Sequence, residues 1–99
     1  MPEEPSGVSA VFTDEEIEVL QTTPPEVVIA NHLFHLLELA AVHLAASPPN
    51  LDEARLVIDA VSAVSHALDG RLGEPGPVIA DGLAQVQLAY VRLSTSPTG

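Results

Sequence analysis

Two histidines and a glutamate follow one another at a spacing that suits a divalent metal ion. His32, His35 and Glu38 are three residues apart in turn, so on a helix their side chains lie near one face. Imidazole and carboxylate groups are common ligands of zinc and related ions, and His66 or Asp59 could add a fourth ligand from a second helix. Helical histidines at the edge of an apolar face are also common without a metal. We therefore predict no metal or other cofactor. If a metal site exists, its candidate ligands are His32, His35, Glu38 and His66.

The histidines leave an alternative function open. Histidine changes its charge between about pH 5 and 8, so the alternative is a metal-binding or pH-responsive bundle that uses the histidines and Glu38. His43, on the same predicted helix, is expected to be either a buried, hydrogen-bonded histidine or an interface residue, and in both cases structural and not catalytic.

The residue types of a hydrolase triad also occur close together, as Asp59, Ser62 and His66. On one helix they form a stripe, which does not set a nucleophile against its base and an oxyanion site. The three glycines of the segment 70–76 lie between predicted helices, without the strand that a phosphate-binding loop requires. The sequence therefore predicts no catalytic residues and no enzyme.

The charge of the chain restricts its partners. Fourteen acidic residues stand against three arginines and no lysine, giving a net charge of −11. Nucleic acids and anionic membranes require a clustered cationic surface, so neither is an expected partner. Because there is no cysteine, disulfides and cysteine-based zinc sites are excluded. The acidic start, Met1-Pro2-Glu3-Glu4, lacks the positive charge of a signal peptide, and we expect a cytoplasmic protein.

Three helix-start signals of one kind divide the chain. Each has a polar side chain that can accept a bond from a free amide, and a glutamate three residues on that can reach back. The pairs are Thr13 and Glu16, Thr23 and Glu26, and Asn50 and Glu53. Pro77 can open the last helix, and Gly70 ends the helix before it.

These signals predict an all-α fold. It is a small bundle of three main helices, over about 24–46, 51–69 and 77–93, with a short N-terminal helix over about 14–22. Flexible tails, 1–11 and 95–99, flank a single domain that covers 12–94.

The second predicted helix carries the broadest apolar face. That face consists of Ile29, Leu33, Leu36, Leu37, Ala40 and Leu44, widened by Ala30, Phe34 and Ala41. The length approaches that of a membrane span, but polar residues interrupt it, so we predict a buried helix and no membrane partner. Narrower seams mark the other two main helices. They consist of Ala54, Val57, Val61, Val64 and Leu68, and of Ile79, Leu83, Val86, Tyr90 and Leu93.

A chain of 99 residues with only three aromatic side chains has a thin core, which a second copy would extend. We predict a homo-oligomer, a dimer, in which Gly82 and Ala89 allow a neighbouring backbone to come close. The interface candidates are Leu33, Leu37, Leu44, Gly82 and Ala89. The acidic first helix, with Phe12, Ile17 and Leu20, leaves open an unidentified protein partner whose groove would take it.

The helix starts and turns also carry a family resemblance. Asn50-Leu51, the pair Ile58-Asp59 and the turn Gly70-Arg71-Leu72 resemble the small bacterial family called domain of unknown function 1844, over roughly residues 27–93. The resemblance implies an all-helical fold and transfers no catalytic residues, since the family has none assigned. Together, these observations predict a non-enzymatic helical bundle that self-associates and acts as an interaction or accessory protein.

Overall fold

The computed structural model describes residues 11–95. Its helices are α1 (Asp14–Thr22), α2 (Pro25–Leu44), α3 (Leu51–Ala67) and α4 (Pro75–Ser94). The last three pack against one another in all three pairs, and no strand occurs in this range. The all-α prediction is confirmed, and the packing agrees with three main helices plus a short first one. The predicted tails lie outside the described residues except for Val11 and Thr95.

Helix α1 begins at a complete capping box. The Glu16 amide donates to Thr13 Oγ1 at 3.0 Å, and the Thr13 amide donates to Glu16 Oε1 at 2.9 Å. These bonds satisfy two of the amides that a helix start leaves free. However, α1 buries no residue and has no packing contact comparable with those among the other helices. It is therefore a solvent-exposed arm beside the bundle.

Thr23 closes α1 and does not cap α2. Its hydroxyl and its amide both donate to the Val19 carbonyl oxygen, at 2.7 and 3.0 Å. The next helix starts at Pro24 and Pro25 without a side-chain cap bond. Proline suits this place because the amide it lacks would have no acceptor in the first turn. The predicted Thr23 cap of α2 is therefore wrong, and the helix begins with two residues that have no amide proton to be capped.

The turn between α2 and α3 is held by a histidine and an asparagine. The Asn50 amide donates to the His43 carbonyl oxygen at 2.9 Å, and Asn50 Nδ2 donates to His43 Nδ1 at 3.2 Å. Asn50 thus makes no cap bond to α3, which corrects the third predicted cap. The half-buried His43 ring is thus hydrogen-bonded across the turn, as one of the two expectations for it requires.

The core lies between α2, α3 and α4 and is wholly aliphatic. Val61 and Ile79 are the largest side chains that are fully buried. The central cluster consists of Ala30, Leu33, Leu37, Val61, Leu72 and Ile79. Further buried residues, toward the α2–α3 turn, are Ala40, Leu44, Ala54 and Ile58. The predicted seams supply most of this core, but Leu93 and Ala41 are exposed, and Ile58 and Leu72 were not predicted.

Helix α4 begins two residues before the predicted Pro77. Gly70 and Gly73, with φ of 79° and 73°, turn the chain in the left-handed region that glycine adopts without strain. Between them Leu72 is buried and anchors the connection to the core. Pro75 and Pro77 then occupy the first and third helical positions, where a missing amide costs no intrahelical bond. Either proline fits the first turn of a helix, and α4 begins at the earlier one, Pro75, three residues after the buried Leu72.

Gly82 is a point of close contact between α4 and α2. A Cβ atom at this position would lie 3.0 Å from Leu37 Cδ1, so the neighbour that glycine admits belongs to the same chain. Leu33, Leu37 and Leu44 are likewise buried in the bundle of one chain, and Ala89 is half-buried. The three leucines are therefore buried within one chain, whereas the dimer and its interface stay a prediction.

We expect Gly82→Leu to lower the free energy of unfolding by about 1–3 kcal/mol, the usual cost of overpacking a core. Leucine favours a helix over glycine by nearly 1 kcal/mol, so any loss must come from the contact with Leu37. Gly76→Ala serves as the control, because its new Cβ would make an ordinary 3.6 Å contact with Leu72 and should not destabilise the fold. Urea denaturation at one protein concentration measures both. A Gly82→Leu protein as stable as the parent would contradict the close packing.

Candidate functional site

The candidate metal ligands lie on the outer face of α2 and do not form a site. His32, His35 and Glu38 are all exposed. The His32 ring donates from Nδ1 to the Val28 carbonyl oxygen at 2.8 Å, and His35 Nδ1 lies 3.6 Å from Glu38 Oε1. His66 is exposed near the end of α3. No group of three or more metal-ligating side chains converges anywhere in residues 11–95.

The apparent triad is a stripe along α3. Asp59 and His66 are exposed and Ser62 is half-buried. The Asp59 carboxylate instead faces Arg55, with 3.7 Å between Oδ2 and Nε. In the described part of the chain no hydrogen bond joins the three triad residues to one another. The geometry therefore places no base against the serine hydroxyl.

A cavity of about 320 Å³ lies where α3 ends and α4 begins. Its wall is formed mainly by apolar atoms and by the glycines of the connection, with Leu72 and Ala80 among the lining residues. Ser65 Oγ is buried there without a hydrogen-bond partner. One hydroxyl without a neighbouring base or oxyanion site does not make a catalytic centre.

Exposed apolar side chains lie along the outer face of α4. It consists of Pro77, Ala80, Ala84, Leu88, Val91 and Thr95, all of them exposed. We call these six residues the α4 outer face. Leu88 and Val91 keep 50% and 53% of their surface in contact with solvent. Exposed apolar side chains that share one face are a feature of surfaces that bind a partner.

Few charged groups lie around this face. Asp81 and Arg92 are the only charged residues in α4, and neither forms an ion pair within the described structure. Asp81 Oδ2 accepts a hydrogen bond from Gln85 Nε2 at 3.1 Å. A shallow groove beside Val91 separates α4 from α3, and the paired Arg55 and Asp59 line it.

Three other exposed apolar regions have charged or polar neighbours. On α2, Leu39 and Val42 are exposed beside His35 and Glu38, and on α3 Leu56 is exposed beside acidic residues. α1 presents Phe12, Val19 and Leu20 together with a row of carboxylates. The sequence contains the signal for the α4 outer face, since its residues recur at intervals of three and four. This pattern was not predicted, because the seam that includes Ile79 is the more apolar repeat of the same helix.

Helix α2 is long and apolar enough to cross a membrane, by length and composition alone. Its leucine stripe, however, packs against α3 and α4, as the core helix of a bundle does. Six polar or ionisable side chains also interrupt the helix: Glu26, Asn31, His32, His35, Glu38 and His43. These features favour the prediction of a core helix.

Comparison of the chain with family models, with curated proteins and with solved structures yields no match. The resemblance to the domain of unknown function 1844 family therefore stays a prediction. Functional inference depends on the surfaces that the structure presents.

We expect zinc to leave the thermal unfolding midpoint of the protein unchanged at neutral pH, because the candidate ligands do not converge. A site whose Kd lay a hundredfold below the zinc concentration would add about 2.7 kcal/mol of stability, which is readily visible in a melting curve. The control is the double variant His32→Ala/His35→Ala, measured with and without zinc. Stabilisation by zinc of the parent protein but not of the variant would restore the metal site.

Proposed function

We propose that this chain is a non-enzymatic interaction protein that works as a homodimer in the cytoplasm. The observation that carries the proposal is the α4 outer face, an uncovered apolar surface on an otherwise acidic chain. Transfer of such side chains out of water stabilises an association by about 25 cal/mol per Å² of apolar surface buried. Burial against a second copy would thus supplement a small core, whose largest fully buried side chains are Val61 and Ile79.

The charge of the chain favours a protein partner over nucleic acid or an anionic membrane. A net charge of −11 repels phosphate groups, and the three arginines lie at three separate places, in α3, in the α3–α4 connection and in α4. Nucleic-acid binding requires a row of basic residues on one surface. An interface between proteins requires an apolar centre with few charges, and the α4 outer face has that character.

Helix α1 supports a second, subordinate part of the proposal, that the chain also binds another protein. All of its apolar side chains are at least partly exposed, and the first turn carries Asp14, Glu15 and Glu16 with no basic residue in the last turn. An amphipathic helix of this kind fits an apolar groove with a basic rim. A second copy of this acidic chain would repel it, so the partner of α1 would be a different protein.

Sedimentation equilibrium at micromolar concentration tests the self-association. We expect a species of about 21 kDa, twice the 10.3 kDa of one chain. Leu88→Glu should shift the distribution to the monomer, because it places a carboxylate in the apolar surface. Leu56→Glu, on the outer face of α3, is the matched control and should leave the dimer intact. A parent protein that sediments as a monomer of about 10 kDa would refute the proposal.

A further inference from the structure

We infer that two copies of the chain associate through their α4 helices in antiparallel orientation, with Asp81 of each copy opposite Arg92 of the other. The inference rests on the proposed self-association and specifies its surface, direction and register. Three properties of the α4 outer face lead to it: its length, the position of its two charges and the sizes of its side chains.

The α4 outer face is long and straight enough for a helix pair. Its residues follow one another at intervals of three and four from Pro77 to Thr95, close to the spacing of a coiled-coil seam. With a rise of 1.5 Å per residue, the face runs for about 27 Å. The face lies on the side of α4 opposite Ile79 and Gly82, which contact the core. At its margins, Pro77 and Ala80 also line the cavity at the α3–α4 connection, and Val91 lines the groove beside α3.

The two charges of α4 lie on the same edge of this face. Asp81 and Arg92 are eleven residues apart, which is close to three full turns at 3.6 residues per turn. In an antiparallel pair related by a twofold axis, each edge of a helix face lies against the same edge of its partner. A twofold axis near Val86 and Gln87 therefore sets Asp81 opposite Arg92 twice. In a parallel pair this edge would meet the other edge, where the uncharged Gln87 lies.

The same register pairs small side chains with large ones. With Asp81 opposite Arg92, Ala84 lies opposite Leu88 and Ala80 lies opposite Val91. Each exposed large side chain of one copy then meets an alanine of the other, so the helices can approach closely and bury both. A single register thus satisfies the apolar residues and the two ionic groups together, which is the self-complementarity that a twofold interface requires.

Charge favours this surface over the other outer faces for two copies of an acidic chain. Two of the three arginines border it, Arg92 directly and Arg55 across the groove beside Val91, where Arg55 pairs with Asp59 at 3.7 Å. Positive and negative groups are therefore balanced here, although each chain carries −11 overall. The outer faces of α2 and α3 carry acidic groups, Glu38 on α2 and Asp52 and Glu53 on α3. Association of two copies through either face would bring these carboxylates together, and they would repel one another.

Cysteine cross-linking tests the direction and register, and the chain has no cysteine of its own to interfere. Ala80→Cys and Val91→Cys chains are prepared separately, checked for native helicity by circular dichroism, then mixed and oxidised. We expect cross-links between the two kinds of chain. Ala80→Cys alone should not cross-link to itself, because the two positions would be about 17 Å apart along the helix axis at 1.5 Å per residue. Self-cross-linking of Ala80→Cys would show a parallel pair and overturn the inference.

Charge reversal provides the second measurement. We expect Asp81→Arg to raise the dimer Kd about tenfold, since each new arginine would face Arg92 of the other copy. The double variant Asp81→Arg/Arg92→Asp should return Kd to within about threefold of the parent value, because the pairs re-form with opposite sign. Asp52→Arg, which changes the net charge equally on the outer face of α3, should not weaken the dimer.

The outcomes separate this inference from the proposed function. A dimer that shows neither the mixed cross-link nor the charge-reversal rescue refutes the antiparallel α4 interface and leaves self-association standing. A parent protein that remains monomeric at all concentrations tested refutes both.

Discussion

The burial of the leucine stripe of α2 is the interaction on which the rest of the structure depends. Leu33 and Leu37 lie at the centre of the core, and their burial requires two covering helices. Val61 of α3 and Ile79 of α4 provide that cover, while Gly82 lets α4 come close enough to touch Leu37. Removal of a buried leucine side chain from such a site costs about 2–5 kcal/mol. In a chain of this size, that is a large part of the total stability.

This arrangement determines which surfaces remain for function. The inward sides of α3 and α4 are used to cover α2, and α1 makes no comparable packing contact with these helices. The outer side of α4 then remains uncovered although it is nearly free of charge. An acidic protein can keep most of its surface soluble through repulsion between copies. The α4 outer face has few charges, one of each sign in α4, and for this reason we propose it as the surface of self-association.

Local rules predicted the helices well because each rule concerns a few neighbouring residues. The Thr13 and Glu16 capping box forms as expected, and the breaks at Ser47-Pro48-Pro49 and at Gly70 separate the main helices. The rules fail where a tertiary contact competes for the same group. The Asn50 side chain fits the cap pattern, yet it bonds to the His43 ring across the turn, and no local pattern contains that contact.

The interaction surface could be predicted from the sequence only in part. An excess of apolar residues indicated that some face would need a partner, but the sequence does not say which faces the monomer itself covers. Leu33 and Gly82 fit an interface as well as they fit a core, and only the packing of α4 on α2 distinguishes the two. Likewise, the spacing of His32 and His35 suits a metal, yet their helix face points away from the other helices and leaves them exposed.

Amide hydrogen exchange of the full-length protein, resolved by residue, tests the central role of α2 most directly. Exchange through global unfolding is the slowest, and it is found in the elements that hold the core together. The account predicts the slowest exchange in α2 between Ala30 and Leu44, and exchange close to the unprotected rate in α1. Rapid exchange along the leucine stripe of α2, with the slowest amides elsewhere, would contradict it.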